Sequence, residues 1–97
     1  MITIEIGDKE YKVKVAKTPE EKSKGLQGIK ELPKDEGMLF DFSEDIGEKS
    51  FWMKDTLIPL DIIFINEDEE VTKIYKGEPN SEEQITVPNV KYVLEVN

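Results

Sequence analysis

Isoleucine occupies every second position at the start of the chain: Ile2, Ile4 and Ile6 alternate with Thr3 and Glu5. A period of two places the three isoleucines on one side of an extended backbone, the pattern of a half-buried strand. Gly7-Asp8 suits a tight turn, and Tyr11, Val13 and Val15 then alternate with Glu10, Lys12 and Lys14 as a returning strand. Such a hairpin is at best marginally stable alone in water. The rest of the chain must therefore supply a sheet for its apolar face.

The later segments carry matching signals. Thr18-Pro19-Glu20-Glu21 reads as a helix start: Thr18 caps free amides, Pro19 takes the first helical position and Glu21 completes a capping box. Gly25 and Gly28 end the helix, with Leu26 and Ile29 as its expected core anchors. A turn-rich connection over 32–37 leads to a short strand with Met38, Phe40 and Phe42 on one face and Leu39 and Asp41 on the other. Residues 43–49 read as a polar loop. Phe51 and Met53 then alternate with Trp52 and Lys54, and Asp55-Thr56 reads as a turn.

Pro59 delays the next strand, and Leu60–Ile65, apolar on both faces, is expected to be the central one. After an acidic turn at 67–70, a strand over 71–75 and a polar loop over 77–84, residues 87–96 supply the last strand. Tyr92, Leu94 and Val96 are expected to face inward. The expected fold class is α+β, mainly β: one domain over 1–97, with six to seven short strands in a mostly antiparallel, curled or barrel-like sheet and one short helix near residues 19–27.

Composition narrows the chemistry. The chain has neither cysteine nor histidine, so disulfides, thiolate metal sites and the commonest general base are excluded. All thirteen cations are lysines, and the net charge is −9. A chain this acidic repels phosphate backbones, so no nucleic-acid partner is expected. No apolar run approaches the roughly 18 residues of a membrane span, and the first residues resemble no export signal. A cytoplasmic location and no membrane contact are the expectations. No cofactor is expected. No metal is expected either: residues 66–70 gather oxygen ligands but lack the glycine and spacing of a calcium loop.

The candidate site centres on Asp61, a carboxylate at the head of an otherwise apolar strand. An unpaired buried carboxylate costs several kcal/mol, so Asp61 must be paired, hydrogen-bonded or solvated in a cleft. Trp52 and Lys54 alternate onto one side of their segment. A ring beside a lysine and a carboxylate suits an amphiphilic ligand, stacked by the ring and oriented by the charges. Trp52, Lys54, Asp61 and Asp55 are therefore the candidate ligand-binding residues. The structural alternative is a core tryptophan, a lysine stem lying along apolar surface, and an aspartate that ties down its own loop.

Gly25-Leu26, Gly37-Met38-Leu39-Phe40, Phe51-Trp52-Met53-Lys54-Asp55-Thr56, Ile58-Pro59-Leu60-Asp61 and Tyr92–Asn97 together resemble the family catalogued as domain of unknown function 192. The resemblance runs over nearly the whole chain. It implies a small β-rich fold with one helix, found in bacteria, archaea and phages, with members often exported and no general activity established. The site residues that the resemblance implies are Trp52, Lys54 and Asp61, with Met38 and Phe51 as walls. The chain departs from that pattern in having Gln27-Gly28 where the family has methionine and often arginine, and Asp55 where it has asparagine. Most members also continue beyond the late strand. An open sheet edge or an open pocket wall is expected from that difference, inviting a partner strand or a homodimer through the edge.

Three functions follow, in order. The first is a non-catalytic module binding a small polar ligand or peptide around Trp52, Lys54 and Asp61. The second is an acidic interaction or inhibitor protein, of a kind phages encode. The third is a carbohydrate hydrolase using Asp55 and Asp61 as acid and base.

Overall fold

In the computed structural model, which describes residues 1–97, seven strands and one helix follow one another along the chain. They are β1 (Ile2–Ile6), β2 (Lys9–Ala16), α1 (Pro19–Lys24), β3 (Glu36–Asp41), β4 (Gly47–Phe51), β5 (Leu60–Asn66), β6 (Val71–Gly77) and β7 (Ile85–Val96). The strands form one sheet in the order β1-β2-β3-β7-β5-β6, with β4 also paired to β7. Only β2 and β3 run parallel, and α1 lies in the crossover that such a pair requires. β1 and β6 each pair on one side only, so the sheet is open and not closed into a barrel.

The opening hairpin forms as its alternation requires. Ile6 pairs with Lys9 across a two-residue turn, and Gly7 takes a φ of 62° that a side chain would resist. The helix start also follows its sequence signal. The Thr18 hydroxyl accepts from the Glu21 amide at 3.1 Å, and the Glu21 carboxylate accepts from the Thr18 amide at 3.0 Å. The helix stops at Lys24, sooner than the sequence implied, because Gly25 turns out of it at φ 50°. The turn that follows sends Leu26 inward and leaves Ile29 38% exposed, so Ile29 is not a core anchor.

β7 is the central strand, a place the sequence pattern gave to β5. Val90 pairs with Gly47 on one side and Asn66 on the other, and Tyr92 likewise with Asp41 and Ile65. β3 and β4 therefore lie end to end along one edge of β7, and β5 covers the other. Burial on both faces is common to β5 and β7, and hydrophobicity alone does not rank them. The strand expected over Phe51–Lys54 sits earlier, at Gly47–Phe51. Its polar residues are held by pairing with β7, including a 2.8 Å contact between the Ser50 and Thr86 hydroxyls, a bond that residue hydropathy does not announce.

The sheet is covered on both sides. On the helix side, Phe40, Met53, Ile62, Phe64 and Val93 pack with Leu26 of the turn after α1, and Phe51 lies edge-on to Phe40 and Phe64. On the other side, Val13, Leu39, Ile63, Leu94 and Val96 pack with half-buried Ile4, Ile6 and Tyr11 of the hairpin. No helix is long and apolar enough to cross a membrane.

Candidate functional site

Strand β7 carries its acidic residue into the interior. Val93 and Glu95 share the helix-side face, because Leu94 and Val96 take the other. Glu95 is 5% exposed and is flanked in register by Met38 of β3 and Ile62 of β5, neither of which offers it a charge. Its carboxyl makes no hydrogen bond or ion pair, and burial alone pushes its pKa up to about 8. No buried side-chain oxygen of the protein is sealed from solvent without a partner. The Glu95 oxygens therefore open onto a cleft.

That cleft has a volume of about 290 Å³. Its walls come from three separate stretches: Pro19 and Lys22–Gln27 in α1 and the turn after it, Phe40 and Phe42 at β3, and Ser50–Trp52 at the end of β4 with Thr56 beyond it. Gly25 is required where the first wall meets the floor. A β-carbon there would lie 3.2 Å from the Phe40 ring and 3.9 Å from the Glu95 carboxyl, on a backbone of positive φ. Floor and walls are thus locked together. The Gln27 amide donates to the Lys54 carbonyl at 3.3 Å, and the Gly28 amide to the Asp55 carbonyl at 3.1 Å. The turn is fixed on its other side by the Met53 amide donating to the Ser81 carbonyl and the Asn80 amide donating to the Thr56 carbonyl.

The sequence-predicted residues divide between several places. Trp52 is 39% exposed at the mouth of the cleft, with the Lys54 ammonium 5.2 Å from its ring centre, and Phe51 forms part of the wall. Asp55 takes a φ of 59° in the turn and its carbonyl accepts from the Gly28 amide, but it does not line the cleft. Met38 lines a neighbouring cleft beneath the α1–β3 connection. Asp61 faces the opposite side of the sheet with Ile63 and Ile65. It pairs with Lys76 at 3.3 Å, beside Lys9, Tyr11 and Lys34. Asp61 shares no cleft with Trp52 and Lys54, nor with Asp55.

Glu95 escaped the sequence reading because Tyr92, Leu94 and Val96 already supplied an inward face, which put Glu95 outward. The available signal was Val93, an apolar residue on that supposedly outer face. Gln27 and Thr56 were equally hidden, since nothing in their local pattern brings them to one place.

Comparison with known proteins gives a family and a fold. The model of the family DUF192, described as "Uncharacterized ACR", matches residues 2–97. A crystal structure of a protein of unknown function from Novosphingobium aromaticivorans DSM 12444 is similar at 36% identity with a TM-score of 0.85, covering 92% of this chain and 64% of that one. A Sinorhizobium meliloti 1021 protein, provisionally described as a transcription regulator, is similar at 37% identity with a TM-score of 0.85, covering 91% of this chain and 69% of that one. This chain thus spans about two thirds of each relative's length. No protein with a curated description matches it.

Proposed function

This chain belongs to DUF192, a family described as uncharacterised, and from its own geometry we propose that it is a non-catalytic module binding a small ligand in the Glu95 cleft. One observation carries the reading: a buried carboxyl without a partner lies at the floor of an open cleft. The Glu95 oxygens reach solvent through the cleft and meet no protein partner, so a ligand entering it can hydrogen-bond to them. Phe51 serves as a wall and Trp52 as the stacking ring for an apolar body, while Met38 lines a neighbouring cleft and Lys54 stands over the Trp52 ring at the rim. Asp61 leaves the set. At about 290 Å³ the cleft lies near the lower end of small-molecule sites, which favours a ligand of metabolite size.

The test is a screen of metabolites, nucleotides and sugars read by thermal shift and Trp52 fluorescence. At about a hundredfold excess over Kd a ligand adds roughly 2.7 kcal/mol of stability. A hit that Glu95→Leu abolishes supports the reading, and silence from every class removes it. The regulator description of the Sinorhizobium protein is not extended to this chain, because a net charge of −9 opposes contact with a phosphate backbone.

A second reading is favoured by β6. This free edge exposes Val71 and Ile74, a combination open to pairing with another chain, a second copy included. Sedimentation over a range of concentrations tests it. Self-association that Ile74→Lys removes supports the reading, and a monomer throughout rejects it for a second copy.

A further inference from the structure

Acidic residues outnumber basic ones by 22 to 13 in this chain, yet the Glu95 cleft reverses that balance. Its charged lining residues are Lys22, Lys24 and Glu95 alone, with Lys54 held over Trp52 at the mouth. The Lys22 ammonium stands 4.4 Å from the centre of the Phe42 ring. Its field is shared with Asp41, which does not line the cleft. Lys49 reaches the same ring but is paired with Asp45 at 3.1 Å. The free cations of this face therefore gather around one opening.

We propose, resting on the ligand-binding reading above, that the ligand is a small organic carboxylate with an apolar ring or chain. Its acid group is held by the Lys22 and Lys24 ammoniums, its body lies between Phe42 and Trp52, and Glu95 donates a hydrogen bond to it from the floor. Each end of the cleft selects against the other ligand charges. A cation meets lysines at the mouth, and a neutral ligand leaves their charge unused. An anion is compatible with Glu95 because the buried carboxyl is protonated near neutral pH, when it is a neutral donor. No charged group packs directly against Glu95, so burial sets its charge state. Met38, Phe40 and Ile62 beside it carry no charge, as do Thr56 and Trp52 across the cleft, and Lys22 and Lys24 are the only ionic neighbours in the lining.

Affinity for the anion then depends on pH with a defined sign. Once Glu95 ionises it repels the ligand, so binding weakens by up to about tenfold for each pH unit above 8. A cation bound to the carboxylate would show the opposite slope.

The experiment compares phenylacetate, phenylacetamide and phenethylamine, three probes of nearly one shape and three charges. Each is titrated into the protein at pH 6.5 and 9.5 while the Trp52 indole N–H resonance is followed by NMR. Phenylacetate is expected to bind best, at least about tenfold more tightly than the amide, with the preference lost at pH 9.5. Glu95→Gln, which keeps a donor at the floor, should retain binding at pH 6.5 and flatten the pH dependence. Lys22→Ala combined with Lys24→Ala should weaken phenylacetate and leave the amide unchanged. Preference for the amine, or equal binding of all three, overturns the carboxylate assignment and leaves the cleft as the binding site. No Trp52 response to any probe at millimolar concentration also overturns it, and the broad ligand screen then decides separately whether the cleft binds anything.

Discussion

Asp61 and Glu95 lie one register step apart, with Asp61 opposite Val96 and Glu95 opposite Ile62. They face opposite sides of the sheet, and their surroundings differ completely. The Asp61 side chain is 35% exposed and pairs with Lys76, itself largely in solvent. Exposed pairs of this kind contribute little, since water screens the attraction and two flexible chains must be ordered. Glu95 has no partner, and the apolar layer around it sets its protonation. The carboxylate that stands out in the sequence is the ordinary one in the structure. The one hidden in a valine-rich strand is the unusual one.

The two carboxyls differ most in their response to pH. An unfolded carboxyl ionises near 4.5, while folded Glu95 holds its proton to about 8. Between those values the folded state binds more protons than the unfolded one, so stability falls as pH rises. The stability tied to this proton is fully present below about pH 4.5 and lost as pH rises through about 8, a change on the order of 3–5 kcal/mol. Denaturant melts of wild type and Glu95→Gln at pH 5 and 9 check this. The two should agree within about 1 kcal/mol at pH 5, with the variant clearly more stable at pH 9. A parallel loss in both proteins would place the pH dependence elsewhere.

Smaller effects sharpen the contrast. Gly25→Ala forces a β-carbon against Phe40 on a backbone of positive φ, beside Glu95. It should cost about 1–3 kcal/mol and weaken ligand binding together with stability. Thr18→Ala removes the cap of the helix that forms one wall, and about 1 kcal/mol of lost stability is expected in chemical denaturation. Lys76→Ala, on the Asp61 side, should change stability by about 0.5 kcal/mol or less and leave the cleft unaffected. A loss matching that of Gly25→Ala would mean that Asp61 has been undervalued.

Local rules made much of the fold legible. The β1–β2 hairpin, the Thr18–Glu21 capping box and the acidic turn at 67–70 each depend on residues adjacent in sequence, and each forms where its residues require. In that turn the Asn66 side-chain oxygen accepts from the Asp68 and Glu70 amides, both at 3.0 Å. The position of β4 and the centrality of β7 depend on pairing partners far along the chain, which alternation does not encode. The site divides in the same way. Trp52 and Lys54 were legible as an amphiphilic pair, and they do lie together, but Glu95 becomes significant only once Gly25–Gln27 and the 51–56 segment close around its side of β7. Burial of a strand's second face is decided by what packs on it, and period-two reasoning assigns that face to solvent by default.

What sets Glu95 apart is a buried carboxyl without a protein partner that keeps its proton at neutral pH. Titration of its side-chain carboxyl carbon by NMR in the free protein tests this directly. A midpoint at about 8 is the expected result. A midpoint at or below the ordinary value of 4.5 would show a solvated or paired carboxylate, and would contradict the account.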